Sequence, residues 1–325
     1  MKIFLTGASG FLGSHTAHEL IRRGNDVSAL MRKTSSREGL PSALRFIEGA
    51  LPDCRNLKEA LEAADVVVHV AGVVKTLKKE TFYEVNALGT ENLVREILSL
   101  KNPPKLFLHI STIAVHHSDR EEDFCLSPES CRPLTHYGKS KLEGEKALSP
   151  LKGKIKTIVL RPPVLYGPRD QELLPMFKAV KWGIVPVFGR GENELSVCYV
   201  EDVARAIADL TERPPAEDDI FCLDDGSVQT WKSMLQTLSE VVGRKAVSLP
   251  IPPFLFRPGA WFSQTFATLT GKPTIFTVDK VNEMEQPRWV CGHRKLSECT
   301  NWKPSVSFRE GARKTFDFYR KEKVL

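Results

Sequence analysis

The chain opens on a short apolar strand, Lys2-Ile3-Phe4-Leu5, that runs directly into Thr6-Gly7-Ala8-Ser9-Gly10-Phe11-Leu12-Gly13, a turn of the form TGxxGxxG. The residues after Gly10 take helical spacing, with Phe11, Leu12, Ala17, Leu20 and Ile21 as the apolar set. A strand, a tight glycine turn and a helix N-terminus make an anion site, because free backbone N–H groups and the helix dipole face the same point. Gly7 permits the turn, Gly10 lets backbone approach a pyrophosphate, and Gly13 lets the helix pack closely on the sheet. A lone glycine trio often marks only a turn. In this strand-to-helix context it predicts a dinucleotide cradle formed by Gly7, Ser9, Gly10, Phe11, Leu12 and Gly13.

Strand-like and helical patterns go on alternating through the first half. Strands are predicted at 27–31, 44–48, 66–70, 106–110 and 156–160, and helices at 57–63, 82–100 and 137–148. Repeated strand–helix–strand units predict an α/β fold, a doubly wound parallel (Rossmann) sheet, with ligands beyond the carboxyl ends of its strands. After about residue 162 prolines multiply and the alternation is lost, although helices recur at 200–210, 231–242 and 309–319. The expected organisation is a dinucleotide-binding domain over 1–165, to which 197–213 returns, and a smaller C-terminal substrate lobe over 166–325. The stretch from Pro250 to Phe262 is strongly apolar and aromatic. It reads equally as the wall of a pocket for an apolar substrate or as core of the small lobe, with a membrane-surface role as the minor third reading.

Several function classes are disfavoured. The 46 basic and 40 acidic residues leave +6, with no long basic run and no aromatic–basic alternation, so nucleic-acid binding has little support. Seven scattered cysteines without a CxxC pair suggest reduced thiols in a cytoplasmic protein. Cys291-Gly292-His293 is too small a set for a metal site, so no metal is expected. No stretch has the length of a membrane helix, and a strand beginning at residue 2 leaves no room for a signal peptide.

Tyr137 and Lys141 lie four apart at a predicted helix start and so share one face. A phenol with a pKa of about 10 is a poor base near neutrality. A nearby ammonium favours the phenolate, and the same lysine can hold a ribose hydroxyl. The strand at 106–110 ends in Ser111-Thr112, where a hydroxyl would face the ligand cleft and donate to a carbonyl or alkoxide oxygen. A solvated surface pair and a helix-capping hydroxyl account for the same residues without chemistry.

Together with TGASGFLG (6–13), the segments VVHVAG (67–72), VNALGTENLV (85–94), ISTIAVH (110–116), YGKSK (137–141), LRPPVLYGP (160–168) and YVEDVARAI (199–207) resemble the extended short-chain dehydrogenase/reductase superfamily, also called the NAD-dependent epimerase/dehydratase superfamily. The likeness covers nearly the whole chain. It implies Tyr137 as general acid/base, Lys141 as its pKa tuner and ribose anchor, and Thr112 as the substrate-orienting hydroxyl, with Ser111 ranked second. It further implies that Val70, Ala71 and Gly72 border the cofactor, and that Pro162 and Val164 pass along the nicotinamide. Asn86 begins a helix beside the cofactor cleft, a position a structural role explains as well. His116, His117 and Tyr166 fall near the substrate mouth. The family's habit implies a homodimer through a helix pair.

The second strand ends in Met31-Arg32-Lys33, with no acid before Glu38, where NAD-binding proteins place a carboxylate for the ribose 2′-hydroxyl. Arg32 therefore predicts NADP(H), with NAD as the alternative. An aspartate that often meets the adenine is replaced here by Ala50 and Leu51, leaving backbone contacts for that role. Sugar-nucleotide enzymes of the superfamily usually carry an asparagine where Val164 stands, and often an arginine near Leu195. Arg161, Arg169 and Arg190 could serve a diphosphate from elsewhere. Ile113-Ala114 after Thr112 departs from the dehydratase pattern. The segments around Trp289 and Trp302 resemble the branch of 3β-hydroxysteroid dehydrogenases and dihydroflavonol reductases. The expectation is an NADP(H)-dependent oxidoreductase that interconverts a ketone and a secondary alcohol on a small apolar substrate. A nucleoside-diphosphate-sugar 4-epimerase with retained NAD is the alternative, and a non-catalytic NADP(H) sensor is the second class.

Overall fold

The computed structural model describes residues 1–116, 127–271, 274, 276–292 and 295–325. The first half runs β1 (Lys2–Thr6), α1 (Phe11–Arg22), β2 (Asp26–Met31), β3 (Arg45–Glu48), α2 (Lys58–Glu62) and β4 (Val66–His69). It continues with α3 (Lys79–Tyr83), α4 (Gly89–Leu98), β5 (Leu106–Ile110), α5 (His136–Lys146) and β6 (Lys156–Arg161). Then come β7 (Val164–Tyr166), α6 (Leu174–Trp182), β8 (Ile184–Phe188), β9 (Glu194–Tyr199), α7 (Val200–Glu212) and β10 (Asp219–Cys222). The rest comprises β11 (Val228–Thr230), α8 (Trp231–Val242), β12 (Val247–Ile251), α9 (Pro253–Thr270), α10 (Val278–Met284), β13 (Arg288–Trp289), α11 (Leu296–Cys299) and α12 (Phe308–Lys321).

A seven-stranded sheet in the order β10-β6-β5-β4-β1-β2-β3 is parallel at every pairing. Strands buried on both faces need continuous apolar runs, which Val66-Val67-Val68 and Leu106-Phe107-Leu108 supply. One face is covered by α1 and α7 through Ala17, Leu20, Val203 and Ile207. Leu57, Leu61, Leu93, Ile97 and Leu148 cover the other. Strand order reverses between β1 and β4, which opens a crevice at their carboxyl ends. A third core, with Phe177, Val187, Val197, Leu238 and Tyr319, holds the later elements around the smaller sheets.

The structure differs from the sequence reading in four places. The helix expected over 82–100 begins earlier and contains a π-helical turn, Glu84–Leu88, between α3 and α4. Residues 219–222, given no element from sequence, form the edge strand β10 beside β6. The apolar segment after Pro250 contains an eighteen-residue helix, α9. Pro252 caps it and Pro253 sits in its first turn, where a missing N–H costs nothing, so only Pro258 is interior. Among the described side chains of α9, Phe256, Ala260 and Ala267 are buried, so the segment contributes to the core along one narrow side. Lastly, Cys54, Cys198, Cys222, Cys291 and Cys299 are free thiols, whereas Cys131 is disulfide-bonded, against the expectation of reduced cysteines throughout. Cys125, His117 and His293 lie outside the described residues.

Candidate active site

The turn after β1 is built by close backbone approach. Gly7 has φ +79°, and a Cβ there would lie 2.6 Å from the Ala71 nitrogen and 2.9 Å from the Val70 carbonyl carbon. A Cβ on Gly13 would fall on the Gly7 carbonyl. Glycine is therefore required for the first turn of α1 to sit against the ends of β1 and β4. Gly10 caps α1 with backbone alone, its N–H donating to Gly7 O at 2.9 Å, and the first helical turn holds no acidic side chain. Ser9 and Gly10 are exposed, Phe11 is half-buried and Leu12 is buried beneath them. Such an uncapped, acid-free helix start suits a pyrophosphate, and the cradle is one that side chains would fill.

The other residues singled out from sequence lie around this crevice. Val70 N–H donates to Thr6 O at 3.3 Å, and Ala71 N–H to Thr6 Oγ1 at 3.2 Å. Gly72 follows in the open, and a Cβ there would be 3.2 Å from Asn86 Oδ1 and 3.7 Å from Lys141 Nζ. Arg32 and Lys33 are exposed beyond the carboxyl end of β2. Ala50 is half-buried and its carbonyl accepts from Asp53 N–H at 3.0 Å, while Leu51 is buried in the helix-side core. Pro162 is buried, its carbonyl accepting from Ile113 N–H at 3.1 Å, and Val164 stands 40 % exposed at the start of β7.

Thr112, Tyr137 and Lys141 converge at the carboxyl end of β5. Thr112 follows the strand and caps a short 3₁₀ turn, its Oγ1 accepting from Ala114 N–H at 3.2 Å. The same hydroxyl faces the Tyr137 phenol closely enough to pull its pKa down. The approach depends on Gly138, where a Cβ would fall on Ala114 O and lie 3.0 Å from Pro133 Cβ. Thr135 caps α5 by accepting from Gly138 N–H at 3.1 Å. Ser111 is buried, and its hydroxyl has no partner among the described residues.

Burial dominates the electrostatics of the site. Burial pushes the Tyr137 phenol up, the Thr112 hydrogen bond pulls it back, and the Glu283 and Glu172 carboxylates push it up further. Lys141 is buried and donates from Nζ to Ile110 O at 2.6 Å. Burial lowers its pKa from 10.5 to about 8, with Glu145 opposing. The geometry thus favours a protonated phenol.

Asn86 is more central than sequence suggested. It lies buried within the π-helical turn rather than at a helix start. Its Nδ2 donates to Val73 O at 3.0 Å and Ser140 Oγ at 2.9 Å, while Oδ1 accepts from Val73 N–H at 2.7 Å. One side chain thereby fixes the loop after β4 to the helix that carries Tyr137 and Lys141. The π turn gives that side chain its inward aim, a feature without a composition signal. Sequence reasoning also missed α10. Asp279 accepts from His136 N–H at 2.9 Å, and Glu283 accepts from Thr135 Oγ1 at 3.3 Å, so two carboxylates meet the start of α5 from over a hundred residues away.

Other candidates are placed elsewhere. Tyr166, expected at the substrate mouth, is buried in the small-lobe core against Tyr199 and Phe308. His116 is half-buried after the 3₁₀ turn. Arg161 is fully buried in a two-pronged pair with Glu145, Nε to Oε1 at 2.9 Å and Nη2 to Oε2 at 2.6 Å. Arg169 donates to Glu38 O at 3.1 Å and Gly39 O at 3.2 Å, so it braces the loop after β2. Arg190 is exposed and Leu195 is buried. Among the described residues no group of three ligating side chains could hold a metal, and no helix is long and apolar enough to cross a membrane.

Comparison with known proteins agrees with this geometry. The profile of the NAD dependent epimerase/dehydratase family matches residues 3–221. A ceramide reductase of Caulobacter vibrioides is 26% identical over 324 residues, 98% of this chain and 94% of that protein. A decarboxylating sterol-4-alpha-carboxylate 3-dehydrogenase of Dictyostelium discoideum is 31% identical over 246 residues, covering 70% of this chain and 73% of that protein. The fold matches a Thermus thermophilus UDP-glucose 4-epimerase solved with NAD, with a TM-score of 0.76 and 24% identity over 98% of this chain and 99% of that one.

Proposed function

The chain belongs to the NAD dependent epimerase/dehydratase family, and on that premise we propose that it interconverts a ketone and a secondary alcohol on a small apolar substrate with NADP(H). The observation that carries the reading is the meeting of Thr112 and Tyr137 at the carboxyl end of β5, with burial and the Glu283 and Glu172 carboxylates pushing the phenol's pKa up. A protonated phenol is the acid that carbonyl reduction needs. A nicotinamide held across the crevice supplies or accepts the hydride. Thr112 and Tyr137 donate to the substrate oxygen, Tyr137 delivers the proton, and Lys141 anchors the ribose from its place beside Gly72.

Three further observations support the choice of partners. Arg32 is exposed and has no ion pair among the described residues, and no carboxylate lies between Met31 and Glu38, which suits a 2′-phosphate better than a 2′-hydroxyl. Of the three cations that could serve a diphosphate, Arg161 and Arg169 are engaged with Glu145 and with loop carbonyls, which leaves the exposed Arg190. The two relatives described above are named as oxidoreductases of a ceramide and of a sterol, both apolar molecules.

The test is a fluorescence titration of purified protein with NADPH and NADH, after a check for cofactor already bound, repeated on Arg32→Ala. NADPH preference of at least about tenfold, lost in the variant, supports the reading and opens a ketone screen. Co-purified NAD that does not exchange, with turnover of UDP-sugars, would replace it by the epimerase.

A further inference from the structure

Surface helices ordinarily bury their apolar face, and α9 exposes its own. Its inward side is narrow, with Phe256, Ala260 and Ala267 buried, while Phe254 (72 %), Trp261 (58 %), Phe262 (66 %), Phe266 (67 %) and Leu269 (80 %) stand in solvent. Their spacings of three and four, with Pro258 and Thr265 between, place them on one side of the helix. Over eighteen residues α9 contains no carboxylate, and its one cation, Arg257, is paired with Glu285 at 2.7 Å.

The strand leading into α9 continues the pattern. β12 pairs with β8, and the register partners Val247 and Ile184 are both exposed, as are Leu249 and the neighbouring Trp182. These segments hold more than half of the large apolar side chains exposed among the described residues. That concentration exceeds the scattered exposure of an ordinary soluble surface. Cations border it. Lys181, Arg244 and Lys245 are exposed, and the Arg244 guanidinium donates to the Lys181 carbonyl beside Trp182.

We infer that α9 and the β8–β12 ribbon dock on the surface of a bilayer containing anionic phospholipid. Acyl chains accept a Phe/Leu stripe, indole rings settle at headgroup depth, and a carboxylate-free face bordered by cations complements an anionic leaflet. No described helix can cross a membrane, so the helix lies in the interface plane. The inference rests on this surface alone and not on the chemistry proposed above.

The full chain is tested by co-sedimentation with phosphatidylcholine vesicles, with and without phosphatidylglycerol. Binding is expected to the anionic vesicles and to weaken severalfold with added salt. The triple variant Trp261→Ser, Phe262→Ser, Phe266→Ser is expected to lose about a hundredfold in partitioning while its circular dichroism is unchanged. Brominated acyl chains should quench tryptophan fluorescence of the native protein, and less so in Trp261→Phe, a readout that needs no disruptive substitution. Native protein left in the supernatant, or a triple variant that binds equally well, would overturn the inference. So would sedimentation velocity showing a dimer that the triple variant dissociates, because that assigns the face to a second copy of the chain.

Discussion

Lys141 turns its ammonium onto the Ile110 carbonyl at 2.6 Å, on the strand that ends one residue later in Ser111 and Thr112. Holding a buried cation there costs stability. With its pKa lowered from 10.5 to about 8, the folded state releases the proton over a range in which the unfolded chain keeps it. Stability therefore rises with pH between about 8 and 10.5, by about 3 kcal/mol for a shift of this size. Denaturant unfolding of wild type and Lys141→Met across that range should show the wild type gaining on the variant. A constant difference would disprove the assignment.

Glu145 and Arg161 form an ion pair with both side chains fully buried. Removing one partner strands a charge in the core. Glu145→Ala is expected to lose about 3–5 kcal/mol, whereas Glu145→Leu with Arg161→Met should recover most of it. Urea midpoints of the wild type and the two variants measure this. A mild single variant would free Arg161 for a ligand and weaken the case against a diphosphate substrate.

His69 sits on the floor of the crevice, Nδ1 at 2.7 Å from Thr6 Oγ1 and Nε2 at 3.0 Å from Thr90 Oγ1. Burial, with a further push from Lys141, lowers its pKa from 6.5 to about 3. The unfolded chain binds this proton first, so stability falls as pH drops below about 6.5, by about 3 kcal/mol on reaching pH 4. His109, its ring tilted against His69 at 5.2 Å and its pKa lowered in the same direction, adds to the loss. Unfolding at pH 7 and pH 4 should show a flatter dependence in His69→Gln than in wild type.

Local patterns carried much of this into the sequence. The TGxxGxxG turn, the β-branched run at 66–68 and the four-residue spacing of Tyr137 and Lys141 each act within one turn or strand, so they are readable without a fold. What stayed hidden depends on distant contacts. Asn86 gains its inward aim from a π turn, and Asp279 and Glu283 reach the start of α5 from a segment with no motif. Tyr166 looked like a mouth residue because its motif is adjacent to the cleft, yet the pairing of β7 with β9 turns it into the small-lobe core. For α9, Pro252 and Pro253 sit where a helix start tolerates them, and the helix continues through Pro258.

Tyr137 and Thr112 face one another at the end of β5, and the order of their losses separates acid from orienter. Tyr137→Phe keeps the ring that packs 6.1 Å from Phe82 and removes only the proton. Its turnover in ketone reduction should fall about 10²–10⁴-fold with cofactor affinity unchanged. Thr112→Val, which leaves the acid in place, should lose less, and the double variant should lose no more than Tyr137→Phe, because the two donors act on one oxygen. Since burial and the nearby carboxylates hold the phenol's pKa up, the reductive rate should stay level through neutral and moderately alkaline pH. Alcohol oxidation, which needs the phenolate, should climb over the same range. A reductive rate that collapses just above neutrality would mean that Lys141 lowers the phenol's pKa after all.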